Sequence, residues 1–235
     1  MQEKAVFLDD EGERSLKAAE RPPHPIGRSL ASTNLLAWIV IAKYADGLPL
    51  YRLEKILSRY GGEITRTTLA NWIIRLSVTM QSLLTRLEAH QMKADYIQGD
   101  ETRLQVLYEP GMAATGDKWI WVLRGGPPGK QIVTFNYDKS RGGAVAERLL
   151  KHFEGRYFQS DAYSGYDAPC AAKDIVHLGC WDHARRIVAE AIKTQPKAEK
   201  GKPSVAMVML SHINALYRLE REWSDLDDDE RLKAR

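Results

Sequence analysis

The chain has 235 residues, 44% hydrophobic and 28% charged, with a formal net charge of +3, the balance of a globular protein of one or two domains. No run approaches the roughly 18 apolar residues of a membrane span. The acidic Asp9-Asp10-Glu11 is unlike a secretory signal, and two cysteines, Cys170 and Cys180, are too few for a disulfide scaffold. A cytoplasmic protein is the expectation. Its mild basic excess permits a nucleic-acid partner without arguing for one, and the charge is uneven: Arg185-Arg186 and the stretch from Lys193 to Lys202 are basic, Asp225 to Glu230 acidic.

Residues 1–30 are polar and end on Arg21-Pro-Pro-His-Pro25, which predicts a flexible or extended lead-in. From 31 to 92 the period is helical. Leu35, Leu36, Ile39, Val40 and Ala42 recur at helical spacing behind a Ser32 or Thr33 cap. Asp46-Gly47 breaks the run before Leu50 to Leu57. Gly61-Gly62 turns the chain again, and Thr65 or Thr67 opens a third helix through Leu69, Trp72, Ile73 and Leu76. This order resembles a helix-turn-helix, with Arg66 and Thr68 at the start of the third helix as DNA-facing residues. The plainer alternative is a small helical bundle without DNA contact.

After Lys93 the pattern becomes extended. Strands are expected over Tyr96 to Tyr108, Lys118 to Arg124 and Gln131 to Tyr137, separated by Pro110-Gly111 and Gly125-Gly-Pro-Pro-Gly129. A helix from Gly143 to Phe153 follows, then a strand, Arg156 to Ser160, running into Asp161. A short segment at Pro169, a strand over Ile175 to Leu178 and a helix over Trp181 to Ile192 complete residues 93–193. Three strands, helix, strand, helix, strand, helix is the order of a ribonuclease H-like mixed sheet. Beyond a Lys-rich break from Pro196 to Pro203, a helix from Val205 to Glu222 begins a helical region, 194–235, that ends in a solvated, charged tail. The fold class expected is therefore α+β: a helical N-terminal domain, then a ribonuclease H-like catalytic domain that is incomplete at its C-terminus.

Asp100 is expected in a buried strand, where a charge is costly unless it binds a metal or a cationic partner. Asp161 leaves a second strand. In the ribonuclease H-like order the first acid lies on the central strand and the second just past the fourth strand, and both fit. Together they provide hard oxygen ligands for Mg²⁺ or Mn²⁺ in phosphoryl transfer. Taken singly, each is equally an ordinary turn aspartate. Glu220 and Glu222 are candidates for a third acid, although solvated helix positions beside Arg218 and Arg221 describe them better. His177, Cys180 and His183 lack a close fourth ligand for zinc, with Cys170 the one candidate. A buried Cys180 and Trp181, with His183, Arg185 and Arg186 facing the site or DNA, fits better. Gly125 to Gly129 lacks the Lys-Ser/Thr ending of a phosphate loop. Ser164, His183 and Asp182 lack a nucleophile elbow.

Several short motifs together resemble the transposases of the insertion sequence 66 family. They are Gly99-Asp-Glu-Thr102, Trp119-Ile-Trp-Val122, Gln159-Ser-Asp-Ala-Tyr-Ser-Gly-Tyr166 and Cys180-Trp-Asp-His-Ala-Arg-Arg186, with Ser29-Leu-Ala-Ser32, Lys43 to Arg52 and Thr68-Leu-Ala-Asn-Trp72 upstream. The resemblance runs from Pro25 to Glu222. It implies a DDE-type transposase, a polynucleotidyl transferase that uses Mg²⁺ to cut element ends and join them to target DNA as a homo-oligomer. Asp100 and Asp161 would be its first two metal-binding acids. His183, Arg185 and Arg186 fall in the family's Cys-Trp-x-His-Ala-Arg-Arg signature. Members are expected to be longer at both ends and to carry the third acid in an Asn-Asn-x-x-Glu-Arg motif that residues 223–235 do not contain. The expectation is a truncated copy, so two rival readings stand beside transposition: a catalytically inactive DNA-binding remnant, and a metal-free hydrolase using Asp100 and Asp161 as acid and base.

Overall fold

In the computed structural model, residues 4–8, 10–18, 23–27, 29–127, 129–194 and 203–235 are described. The first departure from the sequence reading comes early. Lys4–Leu8 (β1) and Arg14–Ala18 (β2) pair as an antiparallel hairpin, its turn passing through Gly12 at φ 78°. Short apolar runs interleaved with charge hid these strands, and Val6, Leu8 and Leu16 remain exposed on them. Residues 23–27 and 29–31 are also tied down. Ile26 and Ala31 are buried, the His24 ring bonds the carbonyls of Ile26 and Ala31, and Thr79 donates to the Pro25 carbonyl. The Lys-rich break expected after Pro196 lies almost wholly outside the described residues.

Three helices follow: Thr33–Tyr44 (α1), Leu50–Arg59 (α2) and Arg66–Gln91 (α3). Ser32 caps α1 by accepting the Leu35 N–H, and Thr65 accepts the Thr68 N–H at the start of α3. Each cap satisfies an amide that has no partner within its helix. Leu36, Ile39, Ala42, Leu53, Leu69 and Trp72 close a core with Ile26 and Ala31. At 26 residues α3 is far longer than the short third helix expected.

The chain divides into two units, Met1–Arg86 and Leu87–Arg235. The second is built on a five-stranded mixed sheet of order β5-β4-β3-β6-β7, formed by Tyr96–Leu104 (β3), Lys118–Gly125 (β4), Ile132–Asp138 (β5), Tyr157–Ser160 (β6) and Val176–Gly179 (β7). β3, β4 and β5 form an antiparallel meander, while β6 and β7 run parallel to β3. Gly143–Leu150 (α4), a 3₁₀ turn at Ser164–Tyr166 and Asp167–Ala172 (α5) supply the residues that pack on one face. There Ile97, Trp121, Leu123, Leu150, Phe158 and Tyr166 form the core. This is the ribonuclease H-like arrangement expected from the order of elements. Trp181–Thr194 (α6) and Val205–Glu222 (α7) pack together. The charged tail is not merely solvated: it forms a short helix, Asp228–Ala234 (α8), closed by a reciprocal cap between Asp227 and Glu230.

Candidate active site

Strand alternation decides which acid faces which way. In β3 the odd residues Ile97, Gly99 and Glu101 face the core, and the even residues Gln98 and Asp100 face the other side. Asp100 therefore corrects its expectation: it is not a buried charge, since its side chain is 59% exposed. The buried acid is its neighbour Glu101, whose side chain is 0% exposed. Glu101 is held by Arg141, at 2.8 Å from Nε and 2.7 Å from Nη2, and by the hydroxyl of Tyr166, which donates to its other oxygen at 2.9 Å. Nothing in the local sequence separates these adjacent carboxylates except the parity that the sheet imposes.

The parallel pairing of β3 with β6 then sets the central geometry. Gln98 is opposite Gln159 in register, so Asp100 and Asp161 each follow this rung by two residues, Asp100 within β3 and Asp161 in the turn that leaves β6. Below them the two glutamines form a polar rung. Gln98 donates to the Gln159 side-chain carbonyl at 2.9 Å, the Tyr96 hydroxyl donates to the same oxygen, and Arg124 donates to the Gln98 carbonyl at 3.3 Å. A cleft of about 230 Å³ opens here, lined by Gln98, Asp100, Arg124, Gln159, Cys180 and His183.

Asp161 sits in a tight exit from β6. Its Oδ1 accepts the Tyr163 N–H at 2.9 Å, and its Oδ2 lies 3.8 Å from Arg141 Nη2. The guanidinium of Arg141 stacks 4.2 Å from the Tyr163 ring centroid. Burial works against the Arg141 cation, but the hydrogen bond and charge of Glu101, with Asp161 and Tyr163 nearby, outweigh it and raise its pKa. Burial, followed by the Glu101 charge, pushes the Tyr166 hydroxyl well above the ordinary phenol range. The pair thus meets Glu101 as a cation and a neutral donor.

His183, on the first turn of α6, places Nε2 3.7 Å from Asp100 Oδ2, while its Nδ1 is buried without a partner among the described residues. Arg185 donates to Asn214 of α7 at 2.9 Å, and Arg186 is exposed on the same helix. Trp181 is 56% exposed and Cys180 half-buried, so the expected burial of this pair is corrected. The helix starts at Trp181, whose side chain borders a cavity shared with Ile213, Leu216 and Tyr217 of α7. Arg66 and Thr68 occupy the first turn of α3, in the other unit; Arg66 is exposed, and Thr68 shares a hydroxyl contact with Thr65. Neither third-acid candidate joins the pair. Glu220 is bound bidentately by Arg235 at 2.9 and 2.8 Å, and Glu222 lies 3.6 Å from Arg218. Among the described residues no three His, Cys, Asp or Glu side chains gather closely enough to hold a metal on their own. Sequence reasoning missed Arg124, Arg141 and Glu101. Arg124 and Glu101 follow from strand parity only once the core face of β3 and β4 is known. Arg141, in the link before α4, gave no signal.

The description "Transposase IS66 family" matches residues 28–235. This chain belongs to that family. Among curated proteins it is 32% identical to the uncharacterized protein y4qI of Sinorhizobium fredii (strain NBRC 101917 / NGR234), over 95% of this chain and 42% of that protein. It is also 30% identical to y4jD of the same strain, over 95% and 44%. The chain thus spans less than half the length of these relatives. Among solved structures, the catalytic core domain of HTLV-2 integrase in complex with magnesium matches 55% of this chain and 86% of its own, at 12% identity and a TM-score of 0.30.

Proposed function

We propose that Asp100 and Asp161 form the divalent-cation site of a DNA strand-cleaving and strand-joining centre acting in transposition. The observation that supports this reading is the register: with Gln98 opposite Gln159, each aspartate follows the same rung of the parallel pair β3–β6 by two residues. The donor set suits Mg²⁺ or Mn²⁺, which bind through one or two carboxylates and complete their shell with water and phosphate oxygens. A bound cation supplies Lewis-acid activation of water or a 3′-hydroxyl and neutralises charge on the phosphate. The chain's own groups do the rest. Asp100 is fixed within β3 and Asp161 by the turn that leaves β6, His183 borders Asp100, and Arg124 offers a guanidinium to the cleft for a phosphate oxygen. Arg185 and Arg186 on α6, with Arg66 and Thr68 at the start of α3, extend the reading to the DNA backbone.

The test is Mn²⁺-dependent nicking and joining of DNA carrying the ends of the element. Asp100→Asn and Asp161→Asn are each expected to reduce it at least about 100-fold while leaving the melting temperature in place. Full activity in either variant refutes the assignment. DNA binding by the unaltered chain with no cleavage at saturating Mn²⁺ supports the second reading, a DNA-binding remnant. That reading draws on Glu220, which is engaged with Arg235 away from the two aspartates.

A further inference from the structure

The structure assembles a serine, a histidine and an aspartate, but not the three that the sequence suggested. Ser160 Oγ lies 2.8 Å from His177 Nε2, and His177 Nδ1 lies 3.0 Å from Asp167 Oδ1. These are the contacts of an acid–base–serine triad. The serine is nevertheless 2% exposed. It sits on the core-facing side of β6, and its oxygen also accepts the Ala162 N–H at 3.2 Å. An enclosed hydroxyl that is already committed to a backbone amide has no room for an incoming carbonyl.

What the serine does hold is the turn that carries Asp161. Ala162 has φ 68°, the left-handed region, although it is not glycine, and such a residue persists only where its surroundings over-determine it. This conformation brings the Tyr163 N–H back to Asp161 Oδ1. We propose that the chain Asp167–His177–Ser160 is a positioning relay that holds Asp161 in its cation-binding geometry.

Proton order follows from the chemistry of each partner. The Asp167 carboxylate only accepts, so Nδ1 of His177 carries a proton. In the tautomer that carries only this proton, Nε2 accepts the Ser160 O–H, which leaves the serine oxygen free to accept the Ala162 N–H. Every link is satisfied, and each polarises the next. The ring is also boxed by Phe158 and Tyr166, with centroids at 5.7 and 6.0 Å, so it cannot easily turn away from Ser160.

The relay rests on Asp161 being a cation ligand, and the experiment separates the two claims. Mn²⁺ affinity of the full chain is measured by calorimetry for the unaltered protein, Asp161→Asn, Ser160→Ala, His177→Asn and His177→Gln, with melting temperatures alongside. Asparagine keeps an amide near the Nδ1 position beside Asp167 but cannot reach Ser160; glutamine reaches the Nε2 position and keeps the serine contact. Loss of an outer-shell partner typically weakens metal binding about 10–100-fold. His177→Asn and Ser160→Ala are expected to fall in that range, with His177→Gln, which keeps the serine link but loses Asp167, weakened less. Equal weakening by asparagine and glutamine would show that the ring merely fills space, and overturns the relay. Full affinity in His177→Asn and Ser160→Ala, with loss in Asp161→Asn, also overturns it but leaves the cation site standing. Undiminished binding in Asp161→Asn removes the cation site and the relay together. Covalent capture of Ser160 by a fluorophosphonate would replace the relay with a nucleophile.

Discussion

Gly99 shows how closely the site is coupled to the core. A Cβ at this position would meet Phe158 Cζ at 2.5 Å and Cε2 at 2.9 Å, so Phe158, which is fully buried, rises into the space that glycine vacates. Gly99→Ala is expected to destabilise the protein by about 1–3 kcal/mol through overpacking. Because Gly99 precedes Asp100, it should also weaken Mn²⁺ binding. Urea unfolding checks the first effect, and an unchanged midpoint would contradict it. At this scale the sequence was only partly legible. It singled out Asp100 and Asp161, but for Asp100 the physical reason was inverted. The expected cost of a buried charge falls on Glu101, where Arg141 and Tyr166 meet it. A residue's parity within a strand is knowable only once the core face is known, and the run from Ala94 to Tyr108 supplies apolar residues of both parities.

Among elements, the long third helix does more than its pattern suggested. Its last residue, Gln91, is buried; its amide nitrogen donates to the Leu123 and Ile132 carbonyls at 2.9 Å each, and its oxygen accepts the Thr134 hydroxyl at 3.0 Å. One side chain thus ties the helix end to both β4 and β5. Gln91→Ala strips partners from two carbonyls at once and is expected to lower stability by about 2–3 kcal/mol. A change below 0.5 kcal/mol, roughly the background for surface substitutions, would mean that water replaces the amide without loss. Elements carried by strong periodicity or by glycine turns were well anticipated: the meander, α4, the strand before Asp161 and α6. The β1–β2 hairpin and α8 were missed, because the hairpin's apolar runs are short and interrupted by charge, α8 is mostly charged, and their stability comes from cross-strand pairing and a reciprocal cap rather than from an apolar face.

At the scale of the whole molecule, the two units keep separate cores. Leu36, Leu53 and Leu69 belong to one, and Trp121, Phe158 and Tyr166 to the other. Separate cores predict separate cooperativity. Calorimetry should resolve two unfolding transitions, and chelation of a bound divalent cation should lower only the one assigned to the sheet-containing unit. A single endotherm with equal calorimetric and van't Hoff enthalpies would show instead that α3 couples the units into one.

The lateral pairing of β3 with β6 has a consequence for how this sequence can change. The distance between the two aspartates is set by backbone hydrogen bonds, not by the chain that joins them. Residues may be gained or lost around 105–117 or 126–131, where the meander turns, and the carboxylates stay where they are. The same tolerance does not extend to the strands. A single deletion between Tyr96 and Asp100, or between Tyr157 and Asp161, would swing one carboxylate through the sheet to its opposite face. Length is therefore free in the loops and fixed in nine or so strand positions, so a lineage can reshape the surroundings of this site extensively before it disturbs the pair itself.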